Sequence, residues 1–179
     1  MWAFLGSECL LFGSLISVYL LLRNKPDELS IDVGPKASDL FDIPFTSVSS
    51  FVLLMSSLTM VLAVQAIVAG DDRQTRLWLA TTATFGAVFL AGQVYEFTIF
   101  YNEGLGFTTN ISSSAFFTLT GFHGVHVSLG IIMLASLWFM SHTGRLTQRN
   151  AETVEIVGLY WHFVDIVWIV IFGIVYLIP

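Results

Sequence analysis

The chain has very few of the residues that build disulfide frameworks or charged surfaces. Its 179 residues include one cysteine, Cys9, which excludes an internal disulfide and any cysteine-rich metal or iron–sulfur site. Only 11% of the residues are charged, and the formal net charge of −6 argues against a nucleic-acid partner. Soluble domains carry roughly twice this share of charged residues, so the composition points away from a soluble protein.

Apolar residues take the place of the missing charges. They make up 55% of the chain, and the mean hydropathy is +0.79. Five apolar stretches are long enough to cross a bilayer, which takes about 20 helical residues. They lie near Trp2–Leu22, Phe45–Ala69, Leu77–Tyr101, Ser113–Met140 and Thr153–Ile178. The sequence therefore predicts an all-α integral membrane bundle of five transmembrane helices, forming a single domain over 1–179.

The connections between these stretches are short and hold nearly every charge. The first stretch contains Glu8 and lacks both a basic leader and a small-residue cleavage site, so it is predicted to be a retained helix. Basic residues are divided slightly unequally between the two ends of the bundle. The end with the N-terminus has Arg73, Arg76, Arg145 and Arg149, and the other has Arg23, Lys25 and Lys36. This excess favours a cytoplasmic N-terminus.

Seven polar side chains fall inside the apolar stretches. An ionisable group at bilayer depth is costly unless it is paired or faces an aqueous cavity, so each one needs a partner. The seven are Glu8 in the first stretch, Gln93 and Glu96 in the third, His123 and His126 in the fourth, and His162 and Asp165 in the fifth.

The last four of these side chains allow three interpretations. Each pair is three residues apart and so lies on one helical face, near the middle of its helix. We favour an interhelical clasp in which Asp165 accepts a hydrogen bond from a histidine. A first-row metal site and a proton-conducting role are the alternatives. A di-iron site would need Glu-x-x-His motifs, and His123 and His126 bring no carboxylate.

The remaining polar residues lie nearer the helix ends. Glu8 has no polar partner in its own helix beyond Ser7 and Cys9, so it is either a structural hydrogen-bond donor or a functional carboxyl. Gln93 and Glu96 are one turn apart near the predicted membrane edge, and we expect an interfacial polar pair.

Glycines in these helices predict close contact between backbones. Gly121, Gly124 and Gly130 in the fourth helix and Gly158 in the fifth support the clasp. Gly6 and Gly13, seven residues apart in the first helix, are expected to be packing residues as well.

Several ordered motifs resemble subunit III of haem–copper oxidases, the cytochrome c oxidase subunit III family. The string LYWHFVDIVW at 159–168, preceded by Val154 and Glu155, is similar to the family's last helix. Phe116 and Phe117, followed by TGFHGVHV at 120–127, resemble the preceding helix. QVYE at 93–96 matches as well, and Ser7-Glu8 is similar to a Ser-Glu pair whose Glu is the family's buried carboxylate. Together these motifs cover almost the whole chain.

The resemblance implies a non-redox subunit of a proton-pumping terminal respiratory oxidase. The chain looks like the five-helix bacterial form, with a cytoplasmic N-terminus and an external C-terminus in the inner membrane. In such a complex it would bind no haem or copper and would pack on subunit I, which reduces dioxygen to water. Subunit II, a small subunit IV and bound phospholipid are the other expected partners.

The resemblance also implies roles for the polar residues. We expect Glu8 to be a buried functional carboxyl for proton uptake or lipid binding. His123, His126, Glu155, His162 and Asp165 are expected to form a structural polar core. The alternatives within the family are subunit III of a quinol oxidase and a subunit-III-like partner of a nitric-oxide reductase, and a remote alternative is an autonomous metal-dependent membrane enzyme.

Overall fold

Five long helices make up the computed structural model, which describes residues 1–23, 43–109 and 111–177. They are α1 (Trp2–Leu22), α2 (Ile43–Val68), α3 (Asp72–Asn102), α4 (Ile111–His142) and α5 (Ala151–Phe172). A π-helical turn, Gly173–Leu177, continues α5. All five helices are long and apolar enough to cross a membrane, and no strand occurs in the described ranges. The all-α membrane fold predicted from the sequence is confirmed.

The two connections at one end of the bundle are short and lie against each other. Between α2 and α3 the chain turns at Gly70, whose φ of +77° suits glycine best. Asp71 then caps α3, its Oδ1 accepting hydrogen bonds of 3.0 Å from the backbone N–H groups of Arg73 and Gln74. In the connection from α4 to α5, Gln148 Nε2 donates to the carbonyl of Val68 at 2.6 Å, so a side chain satisfies a helix-end carbonyl.

The helices pack mainly in the order α1–α4–α3–α2, and α5 closes the bundle against α2 and α4. Trp161 of α5 is almost wholly buried at the centre. Its indole N–H donates to Ser56 Oγ of α2 at 2.9 Å. The ring passes so close to Gly86 of α3 and Gly130 of α4 that a Cβ added at either glycine would lie 2.5 or 2.7 Å from it. Those two glycines are therefore required for the central tryptophan.

The other predicted packing glycines divide into two groups. Gly124 lies against the Gln93 side chain, and Gly158 lies against Met60 of α2, so both mark close helix contacts as expected. Around Gly6, Gly13 and Gly121, by contrast, a Cβ would meet no described atom within 4 Å. Within the described residues these three do not make the predicted contacts.

Candidate functional site

Glu8 and His126 form an ion-pair-type contact between α1 and α4. The Oε2 atom of Glu8 lies 3.1 Å from Nε2 of His126, and the two side chains are 13% and 11% exposed. Glu8 is therefore not the solitary carboxyl that its own helix suggests. Its partner comes from the TGFHGVHV motif, 118 residues later in the chain.

The hydrogen bonds of His126 determine how this pair holds its proton. The Nδ1 atom lies 2.7 Å from the carbonyl oxygen of Phe122 one turn earlier. A carbonyl oxygen only accepts hydrogen bonds, so Nδ1 must carry a proton. The Nε2 atom then either accepts a hydrogen bond from a protonated Glu8 or donates to an ionised one. In both cases one proton lies between Glu8 and His126.

His162 and Asp165 of α5 both face α2. Ser57 Oγ lies 2.6 Å from Nδ1 of His162, and the same hydroxyl is within hydrogen-bonding reach of the Asp165 carboxyl. Asp165 is buried, and its Oδ1 atom has no hydrogen-bond partner within the described residues. Ser57 therefore lies beside both polar groups of LYWHFVDIVW, and its contact with His162 ties α5 to α2.

His123 packs as an aromatic ring at the point where four helices meet. It is completely buried and stacks on Trp168 of α5, with ring centroids 4.8 Å apart. The rings of Phe12 from α1 and Phe89 from α3 meet it edge-on. Neither ring nitrogen has a hydrogen-bond partner among the residues that the structure describes.

The clasp predicted between the two motifs takes a different form in the structure. None of the described hydrogen bonds joins Asp165 to a histidine, because His126 is engaged by α1 and His162 by α2. The motifs meet through the His123–Trp168 stack and through Tyr160, whose hydroxyl donates to the His126 carbonyl at 3.0 Å. The motifs are neighbours as expected, but the direct His–Asp bond is not observed in the described residues.

Gln93 and Glu96 are buried between helices, with separate partners. Gln93 Nε2 donates to the carbonyl of Thr120 on α4 at 3.0 Å. The Glu96 carboxyl accepts from Thr46 of α2 at 2.9 Å and from Tyr176 at 3.2 Å. Within the described residues, the predicted interfacial pair is therefore two separate contacts that tie α3 to α4 and to α2.

Glu155 is exposed in the chain and is not part of a buried core, which corrects the role expected for it. It lies one to two turns before His162 on the surface of α5, near the α4–α5 connection. Among the described residues, no group of three or more His, Cys, Asp and Glu side chains comes close enough to hold a metal ion.

The sequence did not single out the hydroxyl residues of α2, which supply most partners for α5. Trp168 Nε1 donates to Ser50 Oγ at 2.8 Å, as Trp161 does to Ser56. Thr59 Oγ1 also lies 2.8 Å from Thr82 Oγ1 of α3. Ser50 and Ser57 are seven residues apart and Ser56 and Thr59 are three apart, so each pair recurs at helical spacing, and this was the available signal. A run of small hydroxyl residues in an apolar helix marks an interhelical face.

The sequence matches the model of the family "Cytochrome c oxidase subunit III" over residues 1–178. It is 40% identical over 176 residues to cytochrome c oxidase subunit 3 of Bacillus sp. (strain PS3), covering 98% of this chain and 83% of that protein. It is 37% identical over 177 residues to the probable quinol oxidase subunit 3 of Staphylococcus saprophyticus, covering 99% of this chain and 86% of that protein.

A third relative is the cytochrome bo(3) ubiquinol oxidase subunit 3 of Pseudomonas putida. It is 36% identical over 177 residues, covering 99% of this chain and 83% of that protein. These matches extend over nearly the whole chain and through all five helices. The chain belongs to the cytochrome c oxidase subunit III family of multi-pass membrane proteins.

Proposed function

We propose that the chain is the subunit III of a proton-pumping terminal respiratory oxidase and has no catalytic centre of its own. It packs against subunit I, which holds haem and copper and reduces dioxygen to water, with subunit II and a small subunit IV nearby. Its contribution is to stabilise the complex, to support proton uptake and to bind phospholipid. The complex lies in the bacterial inner membrane.

The observation that best supports a non-catalytic role is how the motif residues are used. Each of His126, His162, Glu96 and Gln93 bonds to a side chain or carbonyl on another helix. His123 packs among aromatic rings. Contacts of this kind between helices are what a structural role of these side chains requires. The autonomous metal enzyme needs the same residues gathered around one point, and they are divided among three contacts.

Glu8 is our candidate for the functional carboxyl. It shares one proton with His126, and both side chains keep a small exposed surface. A carboxyl and an imidazole that are joined through one proton are groups of the kind that relay protons. This supports a role in proton uptake, since Glu8 and His126 can exchange that proton without leaving a net charge in the bilayer.

The electron donor is open between cytochrome c and quinol, because relatives of both kinds match the chain at similar identity. The experiment is to purify the chain from its native membranes and identify the subunits that accompany it. We expect a haem-containing subunit I and oxygen consumption. A subunit with a cysteine-rich dinuclear copper site would assign cytochrome c as the electron donor. A complex that lacks such a subunit and consumes oxygen with quinol would assign quinol as the donor.

The outcome that would overturn the proposal is equally concrete. If the chain purifies without oxidase subunits and contains stoichiometric iron, zinc or copper, the metal-enzyme alternative holds. If it accompanies a nitric-oxide reductase and the complex reduces nitric oxide, the partner class is wrong but the subunit role stands.

A further inference from the structure

A groove of about 290 Å³ runs along the outer surface of the bundle between α2 and α5. Its walls are mostly apolar, with Val61 and Val64 on one side and Leu159 on the other. Gly158 lines it as well, and a Cβ there would lie 3.2 Å from Met60. Two ionisable side chains, Glu155 and His162, also line it. This combination is unusual for a surface that faces lipid, because ionisable groups at membrane depth are costly without partners.

The two polar side chains lie at different depths. His162 is eleven residues after the start of α5 and ten before its end, so it lies near the middle of the helix. Glu155 is seven residues earlier, roughly 10 Å closer to the α4–α5 connection at 1.5 Å per residue. The Nδ1 atom of His162 is engaged by Ser57, and no described hydrogen bond involves its other ring nitrogen, while the side chain is only partly buried and lines the groove. That nitrogen is available to the groove.

The depth of His162 discriminates between possible occupants. A phospholipid head group could reach Glu155 near the membrane surface, but the acyl chain that follows offers no hydrogen-bond partner at mid-membrane. A transmembrane helix can present a polar side chain at both depths, and its apolar residues would fit Val61, Val64 and Leu159. In the proposed orientation Glu155 lies toward the cytoplasm, where flanking Lys and Arg residues concentrate. The charge of Glu155 is complementary to such a residue.

We propose that the α2–α5 groove receives a transmembrane helix of a partner oxidase subunit. That helix carries a basic residue opposite Glu155 and a hydrogen-bonding side chain opposite His162. The inference rests on the proposed function, because it assigns to one face of this chain the contact that an oxidase subunit requires.

Photo-crosslinking in the native complex tests the groove directly. A benzophenone amino acid at Leu159 would be compared with one at Ile132, an exposed residue of α4 that lies outside the groove. We expect the Leu159 probe to capture a peptide from a transmembrane helix of another oxidase subunit, identified by mass spectrometry. Capture of lipid alone, or of a second copy of this chain, at Leu159 would overturn the proposal.

Charge reversal tests the complementarity. Glu155→Lys should reduce the amount of this chain retained with the other oxidase subunits after detergent extraction at least about tenfold, because unpairing a buried charge at an interface weakens binding by that much or more. The retention of Glu155→Gln should lie between that of the unmodified chain and that of Glu155→Lys. Glu152→Lys is the matched control, since Glu152 is also exposed on α5 but does not line the groove. Equal retention of all three variants would overturn the proposal.

The two proposals fail in different ways. If the unmodified chain carries no oxidase subunits, the proposed function fails. If the chain carries oxidase subunits, but the Leu159 probe captures only lipid or a second copy of this chain and the three variants are retained equally, only the docking face is wrong. The quantity of each variant in the membrane, measured before extraction, separates lost binding from lost folding.

Discussion

At the scale of single residues, the centre of the bundle is determined by two glycines and one tryptophan. Trp161 touches α2, α3 and α4 at once, and its indole N–H reaches Ser56 only because the ring can pass Gly86 and Gly130. In a close-packed interior, one added methyl group must displace something, and here the neighbour is a rigid ring rather than a flexible chain. The position of α5 therefore depends on the absence of two side chains.

Gly130→Ala and Gly86→Ala should each destabilise the isolated chain by about 1–3 kcal/mol, the usual cost of overpacking. Gly13→Ala is the control, because no described atom lies within 4 Å of its added Cβ and alanine favours helix. Thermal unfolding in detergent measures all three variants. If Gly86→Ala and Gly130→Ala unfold at the same temperature as Gly13→Ala, the Trp161 ring does not occupy the place that the structure gives it.

The two histidines of TGFHGVHV should respond oppositely to the same replacement. His123→Phe keeps a flat ring among Phe12, Phe89 and Trp168 and removes two buried nitrogens that have no described partner, so stability should be retained or raised. His126→Phe removes the partner of Glu8 and should cost about 1–3 kcal/mol. Thermal unfolding measures the stability of both variants. An equal loss of stability in the two would mean that His123 has a polar partner.

At the scale of helices, α1 differs from the others in how little of it the bundle covers. Its buried residues are Leu5, Phe12 and Tyr19, spaced seven apart and so forming one narrow stripe. The contact between Glu8 and His126 lies between the first two of these positions and adds a polar attachment to α4. This helix depends on a few contacts, so its polar pair matters more than a comparable pair at the centre.

The Glu8→Gln variant should retain this attachment while losing the shared proton. The amide can donate an N–H to Nε2 of His126, so assembly and thermal stability should stay within about 1 kcal/mol of the parent. Proton uptake, or the lifetime of the complex during turnover, should change because an amide does not exchange a proton. Glu8→Ala is the comparison, and it should loosen α1. Unchanged turnover and lifetime in Glu8→Gln would mean that Glu8 is only structural.

The sequence predicted which helices exist more reliably than which side chains meet. Apolar length alone is sufficient for the five spans, since crossing a bilayer takes about 20 residues whatever their neighbours are. The partners depend on helix rotation, which periodicity does not determine in helices that are apolar on nearly every side. Glu8 thus looked solitary because His126 is far away in sequence, and Asp165 was expected to bond to a histidine when its neighbour is Ser57. Serine and threonine give a weak signal, because they also bond to their own helix.

At the scale of the whole molecule, the connections determine which ends share a side of the membrane. Gln148 bonds to Val68, so the α2–α3 and α4–α5 connections lie together, and the α3–α4 connection lies at the opposite end. The first group includes Arg73, Arg145 and Arg149, all exposed. Basic residues in short connections favour the cytoplasmic side, which supports the proposed orientation.

Cysteine labelling tests that orientation, because Cys9 is the only native cysteine. In a Cys9→Ala background, single cysteines at Thr143 and at Glu103 would report on opposite ends of the bundle, and both positions are exposed. A membrane-impermeant maleimide added to spheroplasts should label Glu103→Cys at once and Thr143→Cys only after the membrane is permeabilised. The background protein without cysteine controls for unspecific labelling, and permeabilised samples show that each site can react. The reverse pattern would place the N-terminus outside, and Glu155 would then face the external surface, where a basic residue on a partner helix is less expected.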